Sequence, residues 1–263
     1  MLPDVPPTAE LADLTWPEAA GRFADPATVA VLPVASTEQH GHHLPIGTDT
    51  LLAEAILAEG RRRMPTRIPL IVLPTLAYGK SNEHAGFAGT LSLRAGTLRR
   101  VLRDVAEGVW TAGGRRLVLF NTHGGNHATL AAFARDARAR RPALAVWNLH
   151  AWDLLRPEDV PPADPADLHA GARETSLMLA VAPERVRLAV LAGRDPAATR
   201  AVEERVARLL RHGFAWLTSD LATDGTIGAA ELGDAGTGRT LLQALGVRLA
   251  EALTAFAELD WPA

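Results

Sequence analysis

The residues of this 263-residue chain most able to do chemistry lie close together in its first fifty positions. Glu38 and His40 are separated by one residue, and Asp49 follows nine residues after the histidine. Two carboxylates and an imidazole in so short a stretch can bind a divalent metal. The chain has no cysteine, so any metal must be bound by His, Asp and Glu, a ligand set that suits Zn²⁺, Mn²⁺ or Fe²⁺.

Two later motifs could supply further ligands to the same site. His123 lies in the sequence NTHGGN at 121–126, and both His169 and Glu174 lie in HAGARETS at 169–176. Each residue also has a structural explanation: Asp49 could cap a helix, and the paired glycines could form a tight turn. Their joint occurrence favours the interpretation that they form one metal-dependent site.

The elements that must position these residues alternate between strands and helices. Buried strands are predicted at 28–35, 69–75, 116–121 and 143–149. Helices are predicted at 49–64, 97–112, 128–140, 172–182, 197–212 and 240–259. This alternation is typical of an α/β fold with a mostly parallel sheet. Ligands of such sheets bind beyond the carboxyl ends of the strands, where the segments carrying His40 and His123 are expected to meet.

The composition limits the class of protein. With 48% hydrophobic and 22% charged residues, the chain can bury a full core, and it has no linker, so we predict one domain over 1–263. A net charge of −3 gives no basic surface for nucleic acid. We find neither a run of roughly 20 apolar residues that would cross a membrane nor a secretion signal, and therefore expect a cytoplasmic protein.

Four segments together resemble the creatininase family, also called creatinine amidohydrolases. They are 36–49, 78–92, 121–126 and 169–176. The resemblance covers most of the chain and implies a three-layer α/β/α fold, often assembled as a hexamer. It also implies two divalent metal ions per chain, Zn, Mn or Fe, that hydrolyse a carbon–nitrogen bond of a cyclic or linear amide. We accordingly expect a homo-oligomer that acts on a small-molecule or short-peptide amide.

The resemblance also suggests which residues bind the two ions. Glu38 and His123 would bind one metal, His40 would bind the other, and Asp49 would bridge both. Glu174 would complete the second site and is counted with the catalytic residues.

The remaining candidate residues would act on protons and substrate. A metal-bridged hydroxide would attack the amide carbon. An imidazole titrates close to neutrality, so His169 is assigned proton transfer to the leaving nitrogen. Asp167 would orient His169 or contact substrate. Ser81 and His84, in the loop that follows the second predicted strand, are candidate substrate contacts.

The chain departs from the creatinine-cleaving members of the family at two positions. Those members have a glutamate where this chain has Gly125 and a tryptophan where it has Ala166. We therefore expect a non-standard or cyclic or linear amide rather than creatinine, such as the formylamine of a pyrimidine intermediate. The alternatives are a peptidase that trims a mycofactocin-type precursor and a non-catalytic metal-binding scaffold. A serine hydrolase is disfavoured because no Gly-x-Ser-x-Gly elbow occurs.

Overall fold

Five parallel strands form a central sheet in the order β1-β3-β2-β4-β5. The computed structural model describes residues 8–159, 167–210 and 214–260. Within them the strands are β1 (Thr8–Glu10), β2 (Val29–Val34), β3 (Leu70–Val72), β4 (Arg116–Asn121) and β5 (Ala145–His150). The apolar runs of β2 and β4 are almost fully buried, because an internal parallel strand is covered on both faces.

Eight α-helices connect and cover the strands in the described part of the chain. They are α1 (Trp16–Phe23), α2 (Thr48–Arg61), α3 (Ala95–Thr111), α4 (His127–Arg140), α5 (Ala172–Val181), α6 (Pro196–Leu210), α7 (Thr218–Leu221) and α8 (Ala235–Glu258).

Successive residues of the central strands face two different hydrophobic cores. Val29 and Val31 of β2 belong to a core that includes side chains of α2, α5 and α8. Ala30 and Leu32 belong to a second core that includes side chains of α1, α3 and α4. Because strand side chains alternate between faces, this division places helices on both sides of the sheet and confirms the predicted three-layer α/β/α architecture.

The structure differs from the sequence prediction at its shorter elements. β1 and α1 were not predicted, and β3 spans only 70–72 instead of 69–75. Pro33 in β2 has no N–H to donate, and beyond the hydrogen bond from Leu73 to Val31 the contact between the two segments continues through Leu76, which bonds to Pro33 and Ala35. Ala166 and the last two positions of the helix predicted at 197–212 lie outside the described residues.

α8 is the longest helix in the described part of the chain. By length and composition its 24 residues could span a membrane, although the sequence prediction found no run of that length. Its buried residues, among them Leu245 and Leu249, lie in the same core as α2 and α5. α8 starts at Ala235 because the Asp234 side chain accepts hydrogen bonds from the first turn.

Candidate metal centre

The candidate metal-binding residues converge at the carboxyl ends of β2 and β4. The last residues of these neighbouring strands, Val34 and Asn121, are paired in the sheet. Glu38 and His40 follow β2, and His123 follows β4. The parallel arrangement therefore starts both segments side by side, as expected for sites of this fold class.

Helices α2 and α5 contribute the other carboxylates. Asp49 lies in the first turn of α2, where Gly47 is the N-cap residue, so Asp49 does not cap the helix. Glu174 lies in the first turn of α5, and its Oε2 accepts a hydrogen bond from the backbone N–H of Ala170. Both carboxylates are buried.

Asp49 presents one carboxylate oxygen to each of two histidines. Its Oδ2 lies 3.6 Å from Nδ1 of His123, and that nitrogen lies 3.0 Å from Oε1 of Glu38. Its Oδ1 lies 3.6 Å from Nε2 of His40, and that nitrogen lies 3.9 Å from Oε2 of Glu174. The four side chains around Asp49 thus form two adjacent groups that share one carboxylate.

These atoms have the spacing and the unmet bonding capacity expected around cations. Ligands bound tetrahedrally to zinc at 2.0–2.1 Å would lie about 3.3 Å apart. Both carboxylate oxygens of Glu38, Nε2 of His40 and Oδ2 of Asp49 are buried and have no hydrogen-bond partner among the described residues. Such groups are costly to bury unsatisfied, so the donor set fits divalent metal binding.

The hydrogen bonds of the two histidines leave the correct nitrogens free. Nε2 of His123 lies 3.0 Å from the carbonyl oxygen of Lys80, to which it can only donate. Nδ1 of His40 likewise lies 3.2 Å from the carbonyl oxygen of Glu38. When these rings are neutral, the unprotonated nitrogen of each therefore faces the carboxylates, as metal binding requires.

The charges in this buried site strongly shift its proton affinities. Burial opposes the protonation of His40, but the carboxylates of Asp49 and Glu174 outweigh it and raise the pKa of His40 to about 9. Burial raises the pKa of Glu174 to about 7. Burial would also raise the pKa of Glu38, but His123 holds it well below its usual range. Protons thus compensate the carboxylates in the absence of a cation, and metal binding would release them.

His169 lies in the same cluster in its neutral form. Its ring centroid is 4.4 Å from that of His40 and 4.1 Å from that of His84. Burial and these two neighbouring rings hold the pKa of His169 well below its ordinary value, in contrast to the sequence expectation of titration near neutrality. Its Nδ1 lies 3.7 Å from Oε1 of Glu38. As a neutral base, His169 must accept a proton before it can give one to a leaving group.

The three predicted substrate contacts occupy different positions. Nε2 of His84 lies 3.3 Å from Oε1 of Glu38, within the cluster. Ser81 is fully buried, with Oγ 3.3 Å from Nε2 of His123. The carboxylate of Asp167 accepts two hydrogen bonds from Arg173, both of 3.1 Å. Whether any of them contacts substrate stays a prediction.

The sequence prediction did not include two residues that lie in the site. Gln39, which lies between Glu38 and His40 in the sequence, contacts both His84 and His169. Glu83 places Oε1 3.3 Å from Nε2 of His123. A Cβ atom on Gly125 would overlap this oxygen and lie 2.6 Å from the carbonyl oxygen of Lys80, so Gly125 leaves space for Glu83. Only the position of Glu83 inside the second motif could have indicated its role.

Comparison with known proteins identifies relatives that match most of the chain. A family model described as creatininase, creatinine amidohydrolase, matches residues 12–253. The chain is similar to creatinine amidohydrolase of Pseudomonas putida, with 35% identity over 202 residues that cover 70% of this chain and 76% of the relative. It is also similar to a solved structure described as "Creatininase Mn", with a TM-score of 0.74, 27% identity and coverage of 97% and 100% of the two chains.

A second kind of relative differs in the substrate that its name describes. The mycofactocin precursor peptide peptidase of Mycolicibacterium smegmatis is 37% identical over 163 residues, which cover 60% of this chain and 60% of the relative. The chain therefore matches less than two thirds of the length of that peptidase.

Proposed function

The chain belongs to the creatininase family of hydrolases, and we propose that it cleaves the carbon–nitrogen bond of a small-molecule or short-peptide amide with two divalent metal ions. Glu38 and His123 would hold one ion, His40 and Glu174 the other, and Asp49 both. The observation that carries the proposal is the position of Asp49, whose two oxygens each face a different histidine at 3.6 Å.

The proposed mechanism assigns the proton transfer to His169. Two bound divalent ions would supply a water of lowered pKa and polarise the amide carbonyl. His169 presents an unprotonated Nδ1 to the cluster and accepts the proton of the attacking water. It then gives that proton to the leaving nitrogen, so that the amine departs neutral. Burial of all these groups at under 9% exposure strengthens the electrostatic interactions among them.

We further propose that the substrate is a linear amide or a peptide rather than creatinine. The similarity to the mycofactocin precursor peptide peptidase supports a peptide-derived substrate. The lack of room for a side chain at Gly125 also supports a site unlike that of the creatinine-cleaving members. The metal identity, the homo-oligomer and the cytoplasmic location expected from the sequence stay predictions.

A panel of amides tests the proposed function. Creatinine, formamides and short peptides are incubated with protein loaded with Mn²⁺ or Zn²⁺, and the products are measured: creatine from creatinine, and the released amine from the linear substrates. We expect turnover of at least one linear amide, and His169→Ala to lower kcat by about 10² to 10⁴-fold with the metal content unchanged. His42→Ala, at an exposed histidine close in sequence, is the matched control. Tightly bound metal without turnover of any amide would instead favour the scaffold.

A further inference from the structure

The side-chain amide of Gln39 is held in one orientation by two backbone groups. The N–H of Gly41 donates to Oε1 of Gln39 at 2.8 Å, and Nε2 of Gln39 donates to the carbonyl oxygen of Gly225 at 3.0 Å. A backbone N–H can only donate and a carbonyl can only accept. The oxygen and nitrogen of this amide are therefore assigned by their partners and cannot be exchanged.

This fixed amide determines where the neutral ring of His84 carries its proton. Nε2 of Gln39 lies 2.9 Å from Nδ1 of His84. An amide nitrogen can only donate, so Nδ1 must accept and the proton must be on Nε2. The hydroxyl of Thr218, 2.8 Å from the same Nδ1, can act as a second donor. His84 thus directs an N–H towards Oε1 of Glu38, 3.3 Å away.

The main chain of Gln39 has the corresponding effect on His169. The carbonyl oxygen of Gln39 accepts a hydrogen bond of 2.7 Å from Nε2 of His169, which leaves the unprotonated Nδ1 facing Glu38. Both rings therefore carry the proton on Nε2. They turn opposite edges to the centre, so that His84 presents a donor and His169 an acceptor.

The glycine-rich segment after α7 contacts both Gln39 and the main chain of His169. Gly225 has a φ of +79°, and a Cβ atom there would overlap the amide oxygen of Gln39. Two residues on, Ile227 exchanges backbone hydrogen bonds of 3.0 and 2.8 Å with His169. The segment, which fits no phosphate-binding motif, thus holds both Gln39 and the main chain of His169.

We propose that Gln39 is a positioning residue that directs the protonated Nε2 of His84 towards the centre and leaves the neighbouring His169 as its proton acceptor. Glu38, His84 and His169 lie close enough together to suggest a further cation site. A nitrogen that carries a proton cannot bind a metal, so the centre takes two ions and not three. The catalytic roles of His84 and His169 rest on the proposed hydrolysis, whereas the positions of the protons on their rings do not depend on it.

Nitrogen NMR of histidine-labelled protein measures the arrangement directly. Long-range proton–nitrogen correlations are recorded for the metal-free and the Zn²⁺-loaded protein, and His84→Gln and His169→Gln assign the signals. We expect both rings to carry the proton on Nε2 in the wild-type protein, and zinc to saturate at two equivalents. A proton on Nδ1 of His84, or a third zinc equivalent, would overturn the proposal without any variant being needed.

Gln39→Glu separates the side-chain effect from the main-chain effect. The new carboxylate can only accept a hydrogen bond, so the His84 ring should move its proton to Nδ1 while His169, held by the main chain, does not change tautomer. We expect kcat to fall by about 10 to 100-fold with two zinc ions retained. Gln243→Glu, at an exposed position of α8, controls for the added charge.

The outcomes distinguish this proposal from the proposed function. An unchanged His84 signal in Gln39→Glu would refute the role of the side chain, whatever the activity. If the expected tautomers are observed in a protein that hydrolyses no amide, the positioning role stands and the proposed hydrolysis is wrong.

Discussion

At the scale of single residues, metal affinity depends on the hydrogen-bond partner of a metal-facing imidazole as well as on the imidazole itself. Nε2 of His123 is close to the carbonyl oxygen of Lys80, at 3.0 Å, and to the carboxylate of Glu83, at 3.3 Å. A carboxylate on the outer nitrogen of a ligating histidine fixes its orientation and raises its basicity. Glu83 is therefore expected to strengthen binding at His123 without contacting the metal.

Replacing Glu83 tests this outer contact. We expect Glu83→Ala to weaken Zn²⁺ binding by about 10-fold or more, measured by calorimetric titration of the metal-free protein. Glu83→Gln keeps an oxygen that can accept from His123 and should recover most of the affinity. Glu107→Ala, at a glutamate paired with Arg141 far from the site, is the control. Wild-type affinity in Glu83→Ala would contradict the role.

The sequence indicated some residues of the site and not others for a physical reason. Glu38, His40 and His123 each follow a strand closely, so the parallel sheet alone brings them together. Gln39 acts through the carbonyl of Gly225, 186 residues away. Hydrogen bonds to the backbone of a distant loop leave no spacing or composition signal in either segment.

At the scale of elements, the contact between α5 and α8 controls the position of Glu174. Gly238 of α8 packs directly against the carbonyl group of Ser176 in α5, and an added Cβ atom would overlap that oxygen. Backbone atoms cannot move aside as a flexible side chain can. α8 therefore approaches closely the helix that supplies a carboxylate to the site.

Adding one methyl group at this contact should destabilise the protein. We expect Gly238→Ala to lower the free energy of unfolding by about 1 to 3 kcal/mol, measured by urea denaturation of the metal-free protein. Gly108→Ala is the matched control, because Gly108 lies within α3 and a Cβ atom there meets nothing within 4 Å. Alanine is the better helix former, so the control should be neutral or stabilising. Equal effects of the two substitutions would argue against close packing.

Strong periodicity made the long elements predictable, whereas the short ones depend on contacts. β4 was predicted with its observed bounds because its last five residues form an uninterrupted buried run. β1 has three residues at the sheet edge, too few for alternation to appear. α1 begins after a capping box of Thr15 and Glu18, which is a helix-start signature in the sequence itself, but its one buried residue, Phe23, is too little to show helical periodicity.

At the scale of the whole molecule, metal binding and stability should be linked. Glu38, Asp49 and Glu174 are three buried carboxylates around two histidines. Burying several like charges is unfavourable unless they are compensated. Cations bound only by the folded protein would therefore stabilise it as a whole.

Removing the metal tests this linkage. We expect two equivalents of Zn²⁺ to raise Tm and a chelator to reverse the shift; an ion at 100 times its Kd contributes about 2.7 kcal/mol. Asp49→Asn removes the shared ligand and should abolish most of the shift, which separates the site from adventitious surface binding. Saturation at one equivalent, or an unchanged shift in Asp49→Asn, would rule out the shared carboxylate.

The glycine at 125 also limits how this site can change over evolutionary time. Its missing side chain is the space that the Glu83 carboxylate occupies. An ancestor that gained a side chain at 125 first would have forced two groups into one volume, and one that lost Glu83 first would have left the outer nitrogen of His123, Nε2, without a carboxylate neighbour. Single replacements in either order pass through an impaired intermediate. Residues 83 and 125 should therefore change together in evolution, and the pair should distinguish one lineage from another.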